Sequence, residues 1–192
     1  MQIRKILNKI NESYRHHNFS GISFNSKTCK KGDIFFAIKG IKNDGNKFIN
    51  DAIKNGAKTI ISNKKYQGFK EEVLFLNNNN PRKLLSKVAS KIYNKKPNNI
   101  IAVTGTNGKS SIANFFLQIL TLCNKKSTSI GTLGLNSLRY NVSFSNTTLD
   151  SININKILQE QKERKVDNVI LEASSHGLKQ HRLDGINFNI GI

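Results

Sequence analysis

A β-branched run, Ile100-Ile101-Ala102-Val103-Thr104, leads straight into Gly105-Thr106-Asn107-Gly108-Lys109-Ser110 and then into an apolar stretch that begins Ser111-Ile112-Ala113. A strand, a glycine loop and a helix in that order leave few folds open. Glycines let backbone N–H groups converge on phosphate oxygens, and the start of the helix adds the positive end of its dipole. Lys109 then reaches toward the β- and γ-phosphates of a nucleotide, and the Ser110 hydroxyl toward Mg²⁺. The strict form of this loop opens on a glycine where the chain has Val103, so the loop is a variant. The bland alternative is a turn that is merely rich in glycine, and the strand–loop–helix setting speaks against it.

The flanking pattern extends the same architecture. Ser127–Gly131 reads as a second strand, Ser151–Glu163 as a helix, and residues 167–173 as a continuous apolar strand buried on both faces. Strands alternating with helices predict a parallel sheet covered by helices. Residues 186–192 are strand-like and simply stop, which predicts a second domain cut before its end.

The first half is also α/β but has no such loop. Ile3, Ile6, Leu7 and Ile10 recur at helical spacing, as do Phe48, Ile49, Ala52 and Ile53, which end at Gly56. Strands are predicted at residues 22–24, 34–38, 58–62 and 73–76, and Pro81 opens a helix over 82–93. Pro97-Asn98-Asn99 reads as a linker. With 192 residues at roughly 100–200 per domain, the chain divides into domains 1–96 and 97–192. The fold class is therefore α/β: a small N-terminal α/β domain followed by a truncated parallel-sheet domain with a phosphate loop.

Charge separates the function classes less well. Lys and Arg number 31 against 12 acidic residues, a formal charge of +19. This suits an anionic partner such as a nucleotide or nucleic acid. Lysines are nevertheless scattered, with no basic run interleaved with aromatics, so a general lysine, asparagine and isoleucine bias is the better explanation. Nothing approaches the roughly 18 apolar residues of a membrane span, and the N-terminus lacks a signal-peptide core. Two cysteines, Cys29 and Cys123, make no disulfide framework. The expectation is a soluble, reduced, cytoplasmic protein with no membrane partner.

Three further clusters carry polar chemistry. Glu172 closes the buried strand in Glu172-Ala173-Ser174-Ser175-His176-Gly177-Leu178-Lys179-Gln180-His181-Arg182. Ligand sites of open α/β sheets gather at strand C-termini, and one carboxylate with phosphate oxygens suits Mg²⁺. Gln180 and Arg182 add an amide and a fork-shaped cation suited to carboxylate or phosphate. The spacing of His176 and His181 is poor for one helical face, which argues against zinc. Ser145-Asn146-Thr147-Thr148 precedes a helix, and its bland reading is a cap with turn residues. Ser23-Phe24-Asn25-Ser26 reads equally well as a strand end and a polar turn.

Taken in order, these segments resemble the Mur ligases across the whole chain. The N-terminal pattern of that family, D-S-R, G-D-x-F-x-A, a D-G loop, F-I and G-A, is similar to Asn25-Ser26-Lys27, Gly32-Asp33-Ile34-Phe35-Phe36-Ala37, Asp44-Gly45, Phe48-Ile49 and Gly56-Ala57. The glycine loop belongs to Mur ligases and folylpolyglutamate synthases alike. The run from Glu172 to Arg182 is far more selective, and resembles the branch that adds a diamino acid to UDP-MurNAc-L-Ala-D-Glu. The resemblance implies ATP and Mg²⁺ as cofactors. Gly105, Thr106, Asn107, Gly108, Lys109, Ser110 and Ser111 would hold ATP. Lys109 and Glu172 would be catalytic, with Ser110 and Glu172 at the metal. Phe24 and Ser26, with Ile41, Lys42 and Asn43, would touch the uridine part. Asn146, Thr147, Thr148, Ser174, Gln180 and Arg182 would bind the muramoyl-peptide part. Partners would be the UDP-MurNAc-dipeptide and meso-diaminopimelate or L-lysine, without nucleic acid.

Some positions depart from the pattern. Asn25 stands for aspartate, Lys27 for arginine, Ser110-Ser111 for two threonines, and Leu149 for proline or glycine. The family's D-H-L-D-Y-H segment, carbamoylated lysine and C-terminal domain would lie beyond Ile192, so the chain alone is expected not to form amide. Two competing readings are a folylpolyglutamate-type ligase, which leaves the N-terminal pattern unexplained, and a basic nucleic-acid-binding protein, which predicts steeply salt-sensitive binding.

Overall fold

The computed structural model describes residues 1–7, 11–40, 43–137, 141–144 and 147–192. They form two compact units, Met1–Val88 and Ala89–Ile192. The linker reading set the division at 96/97, whereas the units part inside a helix. The last turn of that helix belongs with the second unit, where Ser90 Oγ donates to Gly185 O at 2.5 Å.

The first unit contains β1 (Ile22–Ser23), β2 (Ile34–Phe36), α1 (Ile49–Lys54), β3 (Thr59–Ser62), β4 (Gly68–Lys70), β5 (Val73–Asn77) and the start of α2 (Pro81–Ile92). The sheet order is β1-β2-β3-β5-β4, parallel except for the β4–β5 pair. Ile34, Phe35 and Phe36 are all buried, as the unbroken apolar run requires of a strand covered on both faces. Gly56, at φ +100°, turns the chain after α1, where a Cβ would come 2.7 Å from Lys31 Cα. The amphipathic helix expected from Ile3 to Ile10 is replaced, among the described residues, by a single 3₁₀ turn at Ile3–Lys5. The backbone there has other partners: Met1 and Phe19 exchange bonds at 2.8 Å, and Ile3 N donates to His17 O. Ile3 and Ile6 are buried all the same, and Ile10 lies outside the described residues.

The second unit contains β6 (Asn99–Val103), α3 (Lys109–Leu122), β7 (Ser127–Gly131), β8 (Gly134–Ser137), β9 (Asn141–Val142), α4 (Ser151–Glu163), β10 (Asn168–Glu172), α5 (Ser175–Lys179) and β11 (Ile190–Gly191). Its sheet runs β11-β6-β10-β7-β8-β9, the first four strands parallel and the last two a hairpin extension. Alternation sorts the two faces. Ile100, Val169 and Leu171 join the cluster of Ile154 and Leu158, while Ile101, Val103 and Ile170 pack with Ala113 and Phe116 of α3. Register pairs Glu172 with Val103 and Leu171 with Ile130, so β6, β7 and β10 end together at one edge. The strand expected over 186–192 shrinks to β11, because Ile186 turns into the core.

Candidate functional site

The carboxyl edge of the second sheet gathers three chain segments. The first is the glycine loop. Gly105 and Gly108 adopt φ of +134° and +81°, the left-handed region that their lack of Cβ permits. Gly108 also begins α3 with no side chain capping the helix, and a Cβ there would meet nothing within 4 Å. The loop is open on that side. Lys109 Nζ folds over it, donating to Gly105 O at 2.6 Å and Thr106 O at 3.3 Å. Thr106, Asn107 and Ser111 are exposed.

The second segment is the end of β10. Glu172 is only 4% exposed, yet its hydrogen-bond donors are neutral. Ser110 Oγ donates to Oε2 at 3.0 Å, Thr132 Oγ1 to Oε2 at 2.9 Å, and Thr132 N to Oε1 at 3.2 Å. Room for the carboxylate comes from Gly131, where a Cβ would fall 2.1 Å from Oε1. A cavity of about 260 Å³ opens beside it, lined by Ser110, Asn114, Gly131, Asn136 and Glu172 among others. Among the described residues these donors carry no charge, and since buried carboxylates are as a rule paired or coordinate a metal, the place suits a cation.

The third segment joins Thr147 and Thr148 to the loop after β10. Thr148 Oγ1 donates to Glu172 O at 3.0 Å and accepts from Ser174 N at 3.0 Å. Ser174 Oγ lies 3.0 Å from it and caps α5 by accepting from Gly177 N. Gly177 must be glycine for this packing, since a Cβ would stand 2.7 Å from Thr148 Cβ. Arg182 Nη1 donates to Thr148 O, while its Nε and Nη2 donate to Gln180 Oε1 at 3.2 and 2.9 Å. Thr147, Thr148, Ser174, Gln180 and Arg182 therefore form one network with Glu172, whereas Asn146 lies outside the described residues. His176 faces Gln180 and His181 faces Asp184, so the two imidazoles do not share a partner.

The first unit has its own hollow of about 710 Å³. Phe24, Ser26 and Asn43 line it, together with Lys27, Phe48 and Asn55. Asn25 shapes the rim by accepting from Lys27 N at 3.0 Å, and Asn55 Nδ2 donates to Ser26 O at 2.8 Å. Ile41 and Lys42 lie outside the described residues. Phe48 escaped the sequence reading as a site residue, being placed there in an apolar run at helical spacing; it is 38% exposed. Gly131 and Thr132 escaped it too. The available signal was their place at the C-terminal end of a predicted parallel strand.

The profile described as Mur ligase family, catalytic domain, matches residues 18–108, and that described as Mur ligase middle domain matches residues 103–192. The chain belongs to the Mur ligase family. Among its relatives in that family, the UDP-N-acetylmuramoyl-L-alanyl-D-glutamate–2,6-diaminopimelate ligase of Rickettsia prowazekii (strain Madrid E) is 40% identical over 185 residues. That match covers 94% of this chain and 38% of the relative. The protein of the same name from Bradyrhizobium diazoefficiens is 40% identical over 172 residues, covering 90% and 35%. A solved Mur ligase of that name superposes with a TM-score of 0.84 at 27% identity, covering 100% of this chain and 39% of its own. A MurF ligase from Thermotoga maritima in complex with ADP shares the fold at TM-score 0.52 and 22% identity, covering 80% and 32%. The chain thus spans roughly a third of the length of these Mur ligases, between 32% and 39%, and its mixed α/β, parallel-sheet architecture is theirs.

Proposed function

We propose that this chain supplies the nucleotide loop and the UDP-sugar-peptide contacts of an ATP-dependent, amide-forming ligase. Its acyl substrate is UDP-MurNAc-L-Ala-D-Glu and its amine a diamino acid, meso-diaminopimelate ahead of L-lysine. The observation that carries the reading is the buried Glu172. It hydrogen-bonds the nucleotide loop through Ser110, and through its own carbonyl the Thr148–Ser174–Arg182 network. The names and identities of the relatives support the same substrates.

In this reaction the γ-phosphoryl group moves from ATP to the D-glutamyl carboxylate, giving ADP and an acyl phosphate. The amine then attacks the acyl carbon, phosphate departs, and the nitrogen loses a proton as the amide forms. A free carboxylate repels nucleophiles, which is why activation must come first. Backbone N–H groups of residues 105–108 and the ammonium of Lys109 bind and orient the phosphates, and Lys109 leaves its present carbonyl partners to do so. Ser110 and Glu172 would hold Mg²⁺, which supplies charge neutralisation on the transferring group when bound. Asn146, Thr147, Thr148, Ser174, Gln180 and Arg182 would orient the peptide carboxylates. Phe24, Ser26 and Asn43, with Ile41 and Lys42, would receive the uridine part. Among the described residues no helix is long and apolar enough to cross a membrane. A nucleotide-linked soluble precursor places the reaction in the cytoplasm.

Calorimetric titration with UDP-MurNAc-L-Ala-D-Glu, at low and moderate salt and with UDP-glucose as control, tests the reading. Saturable, selective binding is expected, weakened about ten- to a hundredfold by Arg182→Ala, the worth of hydrogen bonds to a charged group. A folded chain that binds neither better than the control, or that ignores the Arg182 substitution, would refute it.

A further inference from the structure

Thr132 is the first residue after β7, and it grips Glu172 twice. Its N–H donates to Oε1 at 3.2 Å and its hydroxyl to Oε2 at 2.9 Å, so both carboxylate oxygens are bracketed by one residue. Two bonds to the two oxygens fix the plane of a carboxylate, where one bond would leave it free to turn. Ser110 reaches the same Oε2 from the opposite segment at 3.0 Å. Gly131 clears the space into which that plane fits. Thr132 is itself exposed, so its hydroxyl ties no core together. That hydroxyl also stands 3.0 Å from Thr147 Oγ1, on the segment that carries Thr148.

We propose that Thr132 is a positioning residue that holds the Glu172 carboxylate toward Ser110, preset for the divalent cation that arrives with a nucleotide phosphate. This rests on the nucleotide-binding reading of the loop. Residues that orient a metal-ligating carboxylate set metal affinity without touching the metal, and their loss weakens it about ten- to a hundredfold. Thr132→Val keeps the N–H and the side-chain shape and removes only the hydroxyl, while Thr132→Ser keeps the hydroxyl.

The test is calorimetric titration of the 192-residue chain with ADP, with and without MgCl₂ at constant ionic strength. Mg²⁺ should tighten ADP binding to the native chain. Thr132→Val should lose that enhancement by about tenfold or more while keeping its Mg²⁺-free affinity and its thermal midpoint, and Thr132→Ser should restore it. With Mn²⁺ in place of Mg²⁺, the electron paramagnetic resonance line shape of the bound ion should change in the valine variant and not in the serine one. Thr132→Ala serves the same purpose should valine disturb the hairpin. An unchanged Mg²⁺ enhancement in Thr132→Val, an equal loss with and without Mg²⁺, or a serine variant as weak as the valine one overturns the inference alone. A native chain that binds no nucleotide overturns the ligase reading along with it.

Discussion

Glu172 and Lys96 are opposite solutions to one difficulty, a charge held away from water. Glu172 collects donors from Ser110 and Thr132 at the sheet edge. Lys96 donates to Asn155 Oδ1 at 2.8 Å and Asn155 O at 3.4 Å, with Tyr93 O as a third acceptor. All three acceptors are neutral, and burial pushes the ammonium down from 10.5 to about 8. The unfolded chain returns it to its ordinary value. Between those two pH values the unfolded chain holds the extra proton, so the contribution of Lys96 to stability rises with pH across the window and is lowest below it. The thermal midpoint of the native chain, relative to Lys96→Met, should therefore climb between pH 8 and 10.5. A difference that stays flat across that window would dispose of this account. Neither Asn155 nor Thr132 is marked by sequence spacing as a partner, since each lies far along the chain from the charge it serves.

Elements follow the sequence closely in place and less so in the direction they face. The span Ser111-Ile112-Ala113-Asn114-Phe115-Phe116 reads as a helix ready to cover a sheet, and α3 forms there. Only Ala113 is buried, with Phe116 packed beside it against Ile101, Val103 and Ile170. Ile112, Phe115, Ile119 and Leu122 are exposed, Leu122 to 83%. Apolar content predicted the helix, but it could not say which stripe meets the sheet, because Phe115, Phe116 and Leu117 in a row all qualify. The energetic consequence is a sharp contrast. Leu122→Lys should change stability by no more than about 0.5 kcal/mol, whereas Ile170→Ala, at a site with 0% exposure, should cost about 2–5 kcal/mol. Denaturant unfolding of the two variants would measure both, and a large loss at Leu122 would mean that the face is covered. Strands were gained where pairing, not composition, decides. The β8–β9 hairpin and β4 have no alternating apolar run to announce them, and the ladder of a neighbouring strand recruits them.

For the molecule as a whole, the surplus of 31 basic over 12 acidic side chains is a standing cost. Like charges crowd as the chain compacts, and added salt screens them within about 10 Å at 0.1 M. Thermal midpoints should rise as NaCl increases from low to physiological levels, and a fall would show that attractive pairs such as Lys162–Asp167 outweigh the repulsion. What the sequence alone determined is local or periodic: the glycine loop with its strand and helix, the buried run that becomes β10, and the α/β class that these imply. Each follows from backbone conformation or from burial of contiguous side chains, which neighbours along the chain dictate. Only the tertiary structure decided that β6, β7 and β10 end level, that Gly131 makes room for Glu172, and that Thr132 and Thr148 hold it from two sides. It also decided that Ile3 and Ile6 are buried around a single 3₁₀ turn at Ile3–Lys5, the expected longer helix being absent among the described residues. Strand register brings together residues dozens of positions apart, and no local periodicity records such a meeting.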